Sequence, residues 1–219
     1  MENTDNQDKS TVERFGRFAQ GNESENHKRL IILRHGHPED LYALKQQVSH
    51  AREQLFENCP GMKIDAILYS PIKRTVRTAG EFYRLHIDEE SKRMGLILPF
   101  QKQEWLTEKA GANLGYDGLL KEIQRLNNDW NTVLLVTHST TGPHIARALQ
   151  TDSSDIEIVS SMFELASIMV LDIPADDWAQ AGQKPAHLAM TIAQPEERGE
   201  KVDFLEQGIE TGPEECLGP

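Results

Sequence analysis

Two arginines and two histidines stand in short polar segments, each following an apolar run, and their types and order could do chemistry together. Arg34-His35-Gly36-His37 follows RLIIL at 29–33, Ser70-Pro71-Ile72-Lys73-Arg74-Thr75 follows AILY at 66–69, and Thr137-His138-Ser139 follows TVLLV at 132–136. A neutral imidazole nitrogen is a good nucleophile toward phosphorus, and a guanidinium fork pairs bidentately with phosphate oxygens without losing its charge. A second histidine can donate hydrogen bonds to the equatorial oxygens and add positive charge as the transition state forms. The set therefore suits phosphoryl transfer through a covalent phosphohistidine. Gly36, directly after His35, would let the backbone turn sharply and approach a ligand.

These residues meet only if the elements carrying them end at one place. The short apolar runs read as buried strands, and between them lie segments of helical period: 39–56 with Leu41, Leu44, Val48, Ala51 and Leu55, and 72–85 with Ile72, Val76, Ala79 and Phe82. Further strands are expected at 96–100, 166–171 and 187–192, the last at an edge, and further helices at 116–127 and 145–149. Alternating strands and helices imply an α/β fold, a three-layer α/β/α sandwich around a mostly parallel sheet, because parallel neighbours need crossover helices. Ligands in such sheets bind at the carboxyl ends of the strands, where helix N-termini can aim backbone N–H groups at an anion. Ser70 and Pro71 have the types of a helix cap and first helical residue that would aim Arg74. Ser139-Thr140-Thr141 offers hydroxyls to cap a helix or touch phosphate, without the GxSxG elbow of a serine hydrolase.

The three motifs, Ile31-Ile32-Leu33-Arg34-His35-Gly36, the SPxxRTxxTA box from Ser70 to Ala79, and Val136-Thr137-His138, occur in an order that resembles the histidine phosphatase, or phosphoglycerate mutase-like, superfamily. The resemblance covers roughly residues 29–192. It implies that His35 is the phosphorylated nucleophile, Arg34 and Arg74 the phosphate clamps and His138 the second pocket histidine. It also implies a carboxyl group that protonates the leaving oxygen. Leu106-Thr107-Glu108, shortly before Gly111, matches the family's LxE loop, with Glu104 as competitor. No cofactor and no metal is implied. His35, His37 and His138 could chelate in principle, but two flanking arginines would repel a divalent cation.

Two positions depart from the family pattern. Arg77 stands where many relatives carry Gln, a third cation expected to face solvent, and His37 follows the glycine. With His144, these are expected to be accessory. The short stretch from Glu108 to His138 implies a small cap and an open pocket, as in the compact bacterial phosphohistidine phosphatases. The implied activity is a metal-independent phosphatase acting on a phosphorylated small molecule or a phosphoprotein, with residues 37–44 and 111–116 as loops setting selectivity. A phosphomutase is the alternative within the family, disfavoured because return of the phosphoryl group requires water to be excluded. A non-catalytic phosphate-binding scaffold is the alternative outside enzymology.

Composition narrows the partners. The 219 residues carry a formal charge of -12, which repels nucleic acid and anionic membrane, so an anion must be drawn by a locally basic pocket. No run approaches the roughly 20 apolar residues of a membrane span, and MENTDNQDKS lacks the features of a signal peptide, so a cytoplasmic protein is expected. Cys59 and Cys216 are far apart and read as reduced thiols. Low apolar content makes residues 1–27 a polar tail, and excess acid makes 195–219 an acidic one, around a single domain at 28–194.

Overall fold

Along β1 (Lys28–Arg34) Leu30 and Ile32 turn to one side of the sheet and Ile31 and Leu33 to the other, and all four are fully buried. A strand that is apolar on both faces must be covered twice, which is why the 29–33 run shows no alternation. The computed structural model describes residues 27–87, 97–151 and 163–194. The expected tails lie outside them apart from His27, as does Cys216.

Six strands form one sheet in the order β3-β2-β4-β1-β5-β6, with β2 at Ala66–Tyr69, β3 at Phe100–Lys102, β4 at Thr132–Thr137, β5 at Ile168–Ile173 and β6 at His187–Ile192. β3, β2, β4 and β1 run parallel, and only β5 is reversed against both its neighbours. The sheet is thus mostly parallel, with β6 at an edge as expected. Helices α1 (Leu41–Asn58) and α2 (Lys73–His86) cover one face through Leu44, Val48, Ala51, Leu55, Ala79 and Phe82. Helices α3 (Glu108–Gln124) and α4 (Thr141–Ala148) cover the other through Leu119, Ile123 and Ile145, joined by Trp178. Each of the leucine, valine, isoleucine and phenylalanine side chains contributes about 1.5–3 kcal/mol on burial, and the three layers hold the carboxyl ends of β1, β2 and β4 side by side.

Several elements differ from expectation. β3 starts at Phe100 because Pro99 has no N–H to give. The Pro99 carbonyl instead accepts from Ile67 N at 2.8 Å and opens the pairing; Leu96 is outside the described residues. α3 begins at Glu108, eight residues before the expected start, and is broken at Gly115 (φ 63, ψ -173). Its first part lacks a buried apolar stripe, with Leu114 exposed, because it packs through Gly111, where an added Cβ would lie 3.2 Å from Thr141 Cγ2. Residues 111–116 are therefore a helix with a break, not a loop. α4 starts at Thr141, four residues early, and β5 runs two residues late because Ala166 adopts φ 53 in a turn. Between Glu108 and His138 the chain forms α3, a turn and β4, with no inserted unit.

Candidate active site

Each pocket residue is set by the end of a strand. His35 follows β1, its N–H donating to Thr137 O of β4 at 3.0 Å and its carbonyl accepting from Ala166 N at 3.1 Å. The left-handed backbone of Ala166 costs about 1 kcal/mol for a residue with a Cβ, and the turn it makes anchors His35. Neither the turn nor its role carried a sequence signal, since Ala is not a left-handed residue by type. The remaining N–H groups of the loop are also used within the fold: Arg34 N reaches Ser167 O, Gly36 N reaches Thr78 Oγ1 at 2.9 Å and His37 N reaches Gln47 Oε1 at 2.8 Å. Gly36 is therefore small for a different reason than a ligand's approach. A Cβ there would meet Gln47 Oε1 at 3.2 Å and Leu44 at 3.4 Å, so the glycine lets α1 come close.

The ring of His35 is 7% exposed, and its Nδ1 lies 2.9 Å from Gly36 O. A carbonyl only accepts, so Nδ1 carries the proton and Nε2 keeps a lone pair. Burial, then the guanidinium groups of Arg74 and Arg34, push His35 below the usual histidine value and keep the ring neutral near pH 7. Its neighbour His138 is fully buried with the ring centroids 5.5 Å apart. Burial first, and Arg74 next, lower His138 to about 4.

Arg74, in the first turn of α2, donates from Nε and Nη2 to His138 Nδ1 at 3.2 and 3.1 Å, and from Nη2 to Glu108 Oε2 at 3.2 Å. Thr75 and Thr78 hydroxyls bond back to Ser70 O and Arg74 O and fix that turn. Arg34 donates from Nη1 to Phe163 O at 2.6 Å, and its buried Nε has no partner among the described residues. Phe163 is itself held against Gly142, where any Cβ would lie 2.5 Å from the ring. The four motif residues and Glu108 thus converge, while Glu104 is 73% exposed and stands 3.8 Å from Lys102.

Other expectations are corrected. Ser70 is not a helix cap: α2 starts at Lys73 with Ile72 before it, and Ser70 Oγ lies 2.9 Å from His138 Nε2. Glu108 is no loop residue but opens α3, capped by the Thr107 side chain, which accepts from Ala110 N. At the start of α1 two of the N–H groups are already used, because the Asp40 carboxylate accepts from Tyr42 N and Ala43 N. Arg77 does not simply face solvent, since it donates to Pro38 O at 3.2 Å. His37 Nδ1 accepts from Asp40 N, and His144 packs edge-on against Tyr116. Thr140 makes no side-chain cap, and Thr141 Oγ1 is buried without a partner among the described residues.

No family model and no curated protein matches the chain. Solved structures do resemble it. A candidate phosphohistidine phosphatase, SixA, from Nakamurella multipartitia aligns with a TM-score of 0.51 at 19% identity, covering 76% of this chain and 95% of that one. A second candidate SixA, from Agrobacterium tumefaciens, aligns with a TM-score of 0.52 at 16% identity, over 76% of this chain and 99% of that one. At such identities the likeness is one of fold: the chain adopts the α/β fold of these proteins, over nearly their whole length.

Proposed function

We propose that the chain is a metal-independent phosphatase of the histidine phosphatase type, acting on a phosphomonoester or phosphoprotein through a phosphohistidine at His35. The observation that carries this reading is the contact of His35 Nδ1 with Gly36 O, which leaves the lone pair on Nε2, flanked by two arginines, one with a buried donor that has no partner among the described residues. His35 Nε2 attacks phosphorus in line, the N–P bond forming as the ester P–O bond breaks. Arg34, Arg74 and His138 hold the phosphoryl oxygens and stabilise the charge that develops. Glu108 in its acid form gives its proton to the leaving oxygen. Its carboxylate then takes a proton from water as water attacks phosphorus and releases His35.

Glu108 is preferred to Glu104 because it shares a guanidinium with His138 through Arg74. The uninserted path from Glu108 to His138 supports transfer to water over return to the substrate. The resemblance of fold to candidate phosphohistidine phosphatases is compatible with a phosphorylated protein side chain as substrate. The test is phosphate release from an aryl phosphate in the presence of a chelator. Turnover should persist with chelator and fall by about three orders of magnitude or more in His35→Ala. Undiminished turnover in that variant would remove His35 from the mechanism.

A further inference from the structure

Ser70 is not among the groups assigned above to the phosphoryl oxygens, yet it is in hydrogen-bond contact with one of them. It is fully buried, its N–H donates to Val136 O at 3.1 Å, and its carbonyl accepts from Thr75 Oγ1 at 2.7 Å, so the residue is fixed between β4 and α2. Its hydroxyl oxygen is 2.9 Å from His138 Nε2, while Nδ1 on the far side of the ring faces Nε and Nη2 of Arg74. A guanidinium only donates. Nδ1 must then hold a lone pair, and the single proton of the neutral ring sits on Nε2 and is donated to Ser70. We propose that Ser70 is a positioning residue: Arg74 sets the proton on Nε2 in the free protein and Ser70 holds it there once an anion takes over the N–H groups of Arg74, so that Nδ1 is the atom turned to the substrate and gains a proton when a phosphoryl dianion enters.

This rests on the phosphatase reading of the pocket and adds to it the protonation state of one ring. When the anion's oxygens take over the N–H groups of Arg74, Nδ1 is left with a lone pair facing negative charge. That contact is repulsive until Nδ1 binds a proton from solvent. The imidazolium then donates in both directions, to Ser70 from Nε2 and to the phosphoryl oxygen from Nδ1. Without the hydroxyl the neutral ring can move its one proton to Nδ1 and donate to the anion with no proton gained. The charged groups around the ring are Arg74 from α2, Glu108 from α3, and Arg34 and His35 from the end of β1. In the free protein they and burial leave the ring neutral, which makes the gain a property of the bound state.

The test is site-resolved nitrogen NMR of the His138 ring in the full chain, free and with inorganic sulfate, which mimics the phosphoryl dianion and keeps its charge at neutral pH. In the free protein only Nε2 should carry a proton, and with sulfate both nitrogens should. In Ser70→Ala the free ring should keep its proton on Nε2, because Arg74 still donates to Nδ1, but with sulfate it should carry a single proton, on Nδ1, and kcat for an aryl phosphate should fall about 10- to 100-fold with KM changed far less. A free wild-type ring protonated on Nδ1, or a Ser70→Ala ring that takes up a second proton with sulfate as the wild type does, overturns the positioning role. Sulfate leaving the wild-type ring unchanged overturns the proton gain. Should Ser70→Ala not fold, the two wild-type spectra and Ser70→Cys, close in volume but a poor acceptor, decide the matter. Loss of phosphatase activity as a property of the wild type would leave the tautomer result standing, so the two readings fail separately.

Discussion

Lys28 and Arg34 are the first and last residues of β1, and the fold treats the two cations in opposite ways. The ammonium of Lys28, 3% exposed, donates to Asn128 O at 2.7 Å, Trp130 O at 3.2 Å and Asn131 Oδ1 at 2.9 Å, which uses all three of its N–H groups. It also lies 5.9 Å from the centre of the Trp178 ring. At the other end, among the described residues, Arg34 donates to Phe163 O alone and its buried Nε has no partner. A buried donor without a partner costs about 1–3 kcal/mol. The amino end of the sheet is thus closed on itself, whereas the carboxyl end retains an unmet donor where an anion would restore the missing bond.

Arg34→Ala should have the largest effect. Removing one clamp should lower kcat/KM for an aryl phosphate about 1000-fold, while the denaturation midpoint moves little. An Arg34 variant that unfolds but keeps its turnover per folded molecule would break the contrast. Next comes acid. His35 and His138 are buried neutral with lowered values, so between the ordinary histidine value near 6.5 and about 4 the unfolded chain binds more protons than the folded one. Stability is therefore present in full above that window and lost as pH falls through it, by up to about 3 kcal/mol from His138 alone. Urea titrations at the two ends of the window should show the loss, and His138→Asn should reduce it.

Lys28→Met should be milder, about 2 kcal/mol of stability for three stranded acceptors, with kcat/KM per folded molecule unchanged. A drop in catalysis there would mean that the two ends of β1 are not independent. The smallest effect is expected from Glu104→Gln, less than about twofold in turnover, because an exposed carboxylate near one lysine contributes little. A larger loss would sharpen the site by adding Glu104 to it.

The sequence is most legible where one residue type has one use. The apolar runs of β1, β2 and β4 were readable because buried parallel strands need apolar residues on both faces, and the polar residues after them had no other reason to recur. Helix α1 was readable from its buried stripe of Leu44, Val48, Ala51 and Leu55. The first part of α3 was not, since it packs through Gly111, and close packing of small residues leaves no hydrophobic period. The reversal of β5 was equally hidden, because an apolar run carries no direction. Within the site, Arg34, His35, Arg74 and His138 converge as their motifs imply. Ser70, Ala166 and Phe163 were missed in their roles because each acts through a contact between residues distant in sequence.

Four successive backbone N–H groups, from Arg34 to His37, end on partners inside the fold. This segment can therefore recognise a ligand only through its side chains, which are encoded one codon at a time. Ancestral drift or a directed library could alter the pocket's charge and reach at these positions while the path of the chain stays tied down. The backbone here serves as a fixed chassis, and its chemistry is open to piecemeal revision.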